Sequence, residues 1–314
     1  MTVAPPEAAR FLPVHDAYGL RLALVFGNHA PGGQCPYYSA GRCHHCDIGA
    51  GEGREFTLKD NRDRLAWFRQ HYAEALPRVA HLVLYNSGST LNPRELPPQM
   101  LDEILEWAAS LPSLKVVSLD SREAFLSQKR LIECARRLGR TLRPILGLES
   151  ARESVRNLAL DKHMSDSGIR RAFRAVALAR AEGADCQLDC NLVVAGPGTT
   201  GDGVADALAT AEFAFDLATE VGLTVDLNLH PYYPSARGRL RFPQHGRCSL
   251  PVAIRAVEGI ANLARARSPG SHLFIGWQDE GHDQDQGVRA VELQIIQERF
   301  DRFNRTQDAA VLRG

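Results

Sequence analysis

Cys35, Cys43 and Cys46 stand at the spacing C-x7-C-x2-C inside the segment FGNHAPGGQCPYYSAGRCHHCDIG. Three thiols crowded into twelve residues form a set of soft ligands, suited to an iron-sulfur cluster or to zinc. Gly32, Gly33, Gly41 and Pro36 punctuate the run and let a loop close around a compact object. Zinc in a structural site wants a fourth ligand, which His44 or His45 can supply. A [4Fe-4S] cluster held by three cysteines instead leaves one iron open to a substrate or cofactor. Unligated thiols are the third reading, and the spacing alone leaves all three open.

The chain as a whole narrows the setting. Its cysteines number seven, and Cys134, Cys186, Cys190 and Cys248 are scattered, so in a reducing compartment the crowded three argue for metal ligation over disulfides. Cys134 reads as a small buried hydrophobe in a helix, and a second cluster from Cys186, Cys190 and Cys248 is disfavoured. Lys+Arg and Asp+Glu both total 37, so no global field draws the chain to a polyanion, although a local basic patch is compatible with a neutral sum. The start MTVAPPEAARFLPVHD lacks an apolar signal region, and no run approaches the roughly 20 residues of a membrane span. The expectation is a soluble cytoplasmic protein with no membrane attachment.

With 314 residues and 44% hydrophobic content the chain can bury a large core. Nearly continuous apolar runs at 20–26, 81–86, 114–120, 142–149, 190–196, 223–230 and 272–277 read as strands buried on both faces. Helix-period segments at 60–76, 97–111, 121–139, 166–183, 203–222 and 251–267 alternate with them. This order predicts an α/β fold, a partial (β/α)6 TIM-like barrel with a parallel sheet and a C-terminal extension. The expected organisation is an N-terminal arm over 1–17, the barrel over 18–278, and a C-terminal helix and tail over 279–314. Such folds gather their chemistry at the C-terminal ends of the strands, where the unusual polar residues of this sequence sit.

Asn86, Ser87, Gly88 and Ser89 follow the second strand as a polar turn, either a helix cap or a set of backbone N-H groups offered to a ligand. Asp120, Arg122 and Glu123 follow the third; Arg122 is a clamp for a carboxylate or phosphate, or a partner for Glu123 or Glu149. Glu149 ends the fourth strand, and a carboxylate there must be paired or hydrogen-bonded if buried. Arg152, Arg156 and Lys162 follow it as cations that could hold a carboxylate or simply be solvated. The loop AGPGTTGDG after the fifth strand lacks the order of a phosphate-binding P-loop. After the sixth strand, Asn228, His230, Tyr232, Tyr233, Arg237, Arg239 and Arg241 suit an anionic or nucleobase-bearing substrate, or else form a loop packed over the barrel end. Trp277, Gln278, Asp279, Glu280 and His282 add a candidate wall beyond the last strand.

CPYYSAGRCHHC, LYNSGSTLNPRELP (84–97), LDSREAFL (119–126) and ILGLESARESVRNLALDK (145–162) occur in the order that resembles the radical S-adenosylmethionine superfamily, in its Elp3/MiaB-like branch, and within it the archaeosine-biosynthesis radical enzyme group. The resemblance implies that Cys35, Cys43 and Cys46 hold a [4Fe-4S] cluster whose open iron binds S-adenosylmethionine. Reductive cleavage would then give a 5'-deoxyadenosyl radical that abstracts hydrogen from substrate. It implies that His45 meets the adenine, although a bulkier apolar residue is usual there. The turn Asn86–Ser89 would receive the amino end of the cofactor, and Glu149 and Ser150 its ribose or methionine part. Asp120 stands where the group carries Glu, while Arg122 and Arg152 join the cofactor set and Val194 and Gly196 flank the adenosine or substrate. Tyr232, Tyr233 and Cys248 become candidates for a proton donor or radical quencher. The implied partners are a small polar or nucleoside-like substrate in natural-product or modified-base biosynthesis and a flavodoxin- or ferredoxin-type electron donor. An archaeosine-type tRNA-modifying enzyme is the less favoured alternative, and a non-catalytic zinc-stabilised binding module the other.

Overall fold

The structure, a computed structural model, describes residues 13–276 and 290–313. Its strands lie in one sheet in chain order: β1 (Val14–Asp16), β2 (Gly19–Val25), β3 (Val79–Tyr85), β4 (Val116–Ser121), β5 (Thr141–Glu149), β6 (Leu188–Val194), β7 (Val225–Pro231) and β8 (Leu273–Ile275). β2 through β8 are parallel neighbours, and only β1 runs antiparallel, paired with β2. The helices are α1 (Pro36–Ser39), α2 (Leu58–His71), α3 (Pro98–Ala109), α4 (Gln128–Leu138), α5 (Asp166–Ala181), α6 (Val204–Glu220), α7 (Ala236–Arg241), α8 (Leu250–Arg267) and α9 (Ala290–Thr306). The predicted partial (β/α) barrel with its C-terminal helical extension is therefore the fold. The seam between its ends is filled by side chains: Arg21 of β2 lies 4.1 Å over the Phe274 ring of β8, and Tyr18 meets His272 edge-on at 5.1 Å.

Strand interiors such as Leu82, Leu84, Val117 and Leu146 are fully buried, with Phe68 of α2, Ile104 of α3, Phe173 of α5 and Ile260 of α8 packed over them. Each such side chain contributes about 1.5–3 kcal/mol relative to exposure, which is what holds the outer helices on the sheet. One boundary moved. The segment expected to be helical from 121 onward stays in the sheet at Ser121, opposite Leu146, and turns through Glu123–Phe125 before α4 begins. Ser127 sets that start by accepting the Arg130 N-H, and Gly139 ends the helix at φ 60°.

Inside the barrel, the N-terminal ends of the strands carry charge rather than hydrocarbon. Arg143 donates to Asp189 at 2.7 Å and to Asp226 at 2.8 Å, all three buried. Asn228 links this layer upward by donating to Asp189 at 2.9 Å and to Asn191 at 3.0 Å. Asn191 in turn faces the cavity at the C-terminal ends of the strands, so the ionic layer fixes the floor on which the site rests. No helix among the described residues is long and apolar enough to cross a membrane.

Candidate active site

The cysteine loop is held open by its backbone. The Cys35 N-H donates to Gly49 O at 3.0 Å, and the Gly49 N-H reaches Cys46 Sγ at 3.4 Å. Cys43 takes a left-handed conformation, φ 56°, which lets its N-H and that of His44 bond the carbonyls of Asp161 and Leu160 at 3.2 and 3.0 Å. On the other side the Ser235 hydroxyl donates to His44 O, and the Arg237 guanidinium donates to Tyr38 O and Arg42 O. Arg237, expected beside a substrate, therefore clamps the loop.

All three thiols line one cavity of about 170 Å³ at the C-terminal mouth of the barrel. Burial pushes the Cys35 thiol up to about 11 and raises that of Cys46 further. Thiolates in this place need compensating positive charge. Arg122 supplies part of it: its Nη1 lies 3.8 Å from Cys43 Sγ, and its guanidinium rests 3.6 Å over the Tyr37 ring. The same side chain donates to Lys162 O and stands 3.7 Å from Glu123, so the internal pairing read from the sequence is present. Among the described residues, no group of three or more His, Cys, Asp and Glu is placed to hold a single metal ion.

The turn after β3 presents Ser87, Gly88 and Ser89 to the cavity. Ser87 has φ 60°, and a Cβ on Gly88 would fall 1.7 Å from Glu95 Oε2, so no side chain fits there. Glu95 braces the turn by accepting from Ser89 N at 3.1 Å, Asn28 Nδ2 at 3.2 Å and Asn92 Nδ2 at 2.5 Å. Asn86 sits just beneath, donating to Ser89 O at 3.4 Å while its own carbonyl oxygen is buried without a hydrogen-bond partner among the described residues.

Glu149 closes β5 in a third strained conformation, φ 61°. Its Oε1 meets Lys162 Nζ at 2.6 Å and lies 3.5 Å from His45 Nε2. Burial alone would raise this carboxyl, but the Lys162 charge and His45 hold it well below the ordinary range. Gly147 leaves the space for the pair, because a Cβ there would stand 2.6 Å from Lys162 Nζ and 2.8 Å from Glu149 Oε1. Among the described residues, the Nδ1 of His45 is buried with no hydrogen-bond partner.

Asp120 faces the same cavity without a hydrogen-bonded partner for its carboxylate among the described residues. Burial lifts it to about 7, against the partial relief of Lys162. The folded chain thus keeps a proton to about pH 7 that the unfolded chain loses near 3.8, so stability falls as pH rises between those values. Asp120→Asn removes this dependence: urea unfolding should show the variant more stable than the parent by about 2–4 kcal/mol at pH 8, with the gap closing towards pH 4.

His45, Ser87, Gly88, Ser89, Asp120, Arg122, Glu149, Tyr232 and Tyr233 are thus brought together with the three thiols. Other candidates are not. Arg152 lies outside the cavity, bonded to Asp206 at 2.5 Å, and Ser150 is buried, accepting the Arg152 N-H. Val194 is packed in the sheet, Gly196 lies beyond the lining, and the buried Cys248 thiol donates to Ser249 O. Arg156 is fully buried and donates to the carbonyls of Ser150 and Met164. Lys162 is the one of the three cations on that segment that reaches the cavity, while Asn191 and His230 supply its far wall. Trp277, Gln278, Asp279, Glu280 and His282 lie outside the described residues.

No protein-family model matches the chain. A curated relative, an uncharacterized protein of Methanocaldococcus jannaschii, is 26% identical over 149 residues, covering 46% of this chain and 40% of that protein. The chain thus spans less than half the length of this relative. Among solved structures, Streptococcus suis SuiB bound to S-adenosylmethionine superposes with a TM-score of 0.51 at 13% identity, over 83% of this chain and 51% of SuiB. A queuine lyase from Clostridium spiroforme, bound to S-adenosylmethionine and queuine, gives 0.47 at 16% identity over 72% of this chain and 82% of the lyase. Coproporphyrinogen III oxidase from Escherichia coli, a radical S-adenosylmethionine enzyme, gives 0.47 at 15% identity over 72% of this chain and 50% of the oxidase. At these identities the likeness is one of fold alone.

Proposed function

We propose that this chain is a radical S-adenosylmethionine enzyme of the Elp3/MiaB-like branch, acting by hydrogen abstraction on a small polar or nucleoside-like substrate. The observation that carries the reading is the convergence of the three loop thiols, the Ser87–Ser89 turn and the Glu149–Lys162 pair on one cavity. The donor set fits a [4Fe-4S] cluster on Cys35, Cys43 and Cys46. Each thiolate would hold a separate iron, so the sulfurs would not need to close on one point as the ligands of a lone zinc must. When bound, the cluster supplies the single electron that splits S-adenosylmethionine and so generates the radical that takes hydrogen from substrate.

The protein's part is binding, orientation and exclusion of water. Lys162 and Arg122 are the cations available to a carboxylate, and the Ser87–Ser89 turn, braced through the Ser89 N-H by Glu95, lines the same cavity for a polar end group. His45 stands beside Glu149, and its Nδ1, without a partner among the described residues, would meet an adenine edge or face. The far wall, with Asn191, His230, Tyr232 and Tyr233, is left for substrate, and the buried Tyr232 hydroxyl has no hydrogen-bond partner among the described residues. Asp120, lifted by burial to about 7, lines the same cavity and would give or take a proton there. A tRNA substrate is the weaker alternative, since the formal net charge is zero.

The test is anaerobic purification with iron and sulfide quantified, then addition of S-adenosylmethionine and dithionite. About four irons per chain and the appearance of 5'-deoxyadenosine are expected. Bound zinc with intact S-adenosylmethionine would return the chain to the class of metal-stabilised binding modules.

A further inference from the structure

The aspartate, glutamate, arginine and lysine side chains that line the cavity are Asp47, Asp120, Arg122, Glu149 and Lys162. Four of these are engaged. Glu149 and Lys162 neutralise one another at 2.6 Å. Arg122 stands 3.7 Å from Glu123 and 3.8 Å from Cys43 Sγ, and donates to Lys162 O. Asp47 is tied to the start of α7, its Oδ1 accepting the Ala236 N-H at 3.1 Å. The Asp120 carboxylate is left over, with no hydrogen bond or ion pair among the described residues. Its place is nevertheless fixed. The Asp120 carbonyl accepts the Thr90 N-H at 2.9 Å and the Thr90 hydroxyl at 2.7 Å, which pins the end of β4.

The charges that act on this carboxylate are those of Lys162, Glu149, His230 and Glu95. Lys162 is already spent on Glu149, and Glu95 is held by the neutral donors Asn28, Asn92 and Ser89 N. An ionised carboxyl so placed costs free energy until a cation joins it. An anionic substrate meets the opposite situation. Arg237 is committed to the carbonyls of Tyr38 and Arg42, and Arg239 and Arg241 lie outside the lining, so the arginines expected to receive an anion do not reach the cavity. Tyr85, Tyr232 and Tyr233 line it instead, and aromatic faces attract cations. We infer that Asp120 is the specificity-determining residue for a substrate that carries a nitrogen cation, an ammonium or amidinium group, which pairs with its carboxylate inside the cavity. The same carboxylate repels a substrate that brings a phosphate or carboxylate to this place.

The inference names the charge of the substrate and rests on the proposed radical activity only in calling the occupant a substrate; the cation site itself is tested without the cluster. Benzamidine, benzamide and benzoate are a cation, a neutral amide and an anion of nearly the same flat shape. Calorimetric titration into the full-length protein at pH 8 should show benzamidine bound about tenfold or more tighter than benzamide, with benzoate weaker still. Asp120→Asn, the more stable chain at that pH, should bind benzamidine no better than benzamide. In the anaerobically reconstituted protein, benzamidine should bind without displacing S-adenosylmethionine. Equal binding of the three probes, tighter binding of benzoate, no binding of benzamidine, or a cation preference that survives Asp120→Asn overturns the site. Displacement of S-adenosylmethionine gives Asp120 to the cofactor and overturns its role towards substrate. A preference that depends on Asp120, in a chain that makes no 5'-deoxyadenosine with dithionite, upholds the cation site and overturns the radical activity. Formation of 5'-deoxyadenosine by a chain without that preference overturns the cation site alone.

Discussion

Cys43→Ala should lower bound iron from about four per chain to less than one after anaerobic reconstitution, and bring 5'-deoxyadenosine formation down to background. Of the three thiols it is the most constrained. Its backbone is left-handed, its N-H is bonded to Asp161 O, and its sulfur receives the Arg122 guanidinium. Those bonds aim the sulfur into the cavity, and neither His44, turned outward to Asp161, nor His45, held at Glu149, is placed to substitute for it. Cys134→Ala is the control. That thiol is buried in α4 among core residues, and its loss should cost some stability while iron content and turnover stay at the parental level. Iron retained by Cys43→Ala, or lost by Cys134→Ala, would remove the loop from its assigned role.

The parallel strands were legible because burial on both faces leaves uninterrupted apolar runs, as in HLVLY of β3. β1 was not. Val14–Asp16 has no hydrophobic pattern of its own, and it is a strand through antiparallel pairing with Gly19–Arg21. The site followed the same division. The thiols, the NSGS turn and Glu149 stand out because polar residues abruptly end apolar strands. Which of Arg152, Arg156 and Lys162 would reach the cavity was not readable, since Ser154–Ala159 winds as a π-helix, which shifts the side-chain spacing expected of an α-helix. Lys162 comes inward and Arg152 is left with Asp206. Arg237 was hidden for another reason: its acceptors are backbone carbonyls of a distant loop, and carbonyls leave no mark in a sequence.

The Glu149–Lys162 pair separates what stability asks of the site from what function asks. Lys162→Met leaves the carboxylate buried beside the thiols with only His45 near it, and should destabilise the fold by about 3–5 kcal/mol. The loss should depend on pH. Glu149 is depressed below its unfolded value of 4.5, so the stability it contributes is present above that pH and disappears as acid protonates the folded chain. The parent and Lys162→Met should therefore converge in acid and diverge towards neutrality. Glu149→Gln makes the opposite error, leaving an ammonium ion close to Arg122. Joining the two changes removes both buried charges at once, and the double variant should recover to within about 1–2 kcal/mol of the parent, because burying a neutral pair costs far less than burying one unpaired ion. Glutamine is chosen at 149 because it keeps the shape of the side chain at a left-handed φ of 61°. If the pair exists to hold a cofactor, the recovered fold should still bind S-adenosylmethionine poorly, with Kd raised by about a hundredfold or more in calorimetric titration, since the Lys162 cation and the Glu149 anion that would meet its carboxylate and polar groups are both gone. Binding that returns together with stability would show instead that the pair only fills the barrel mouth.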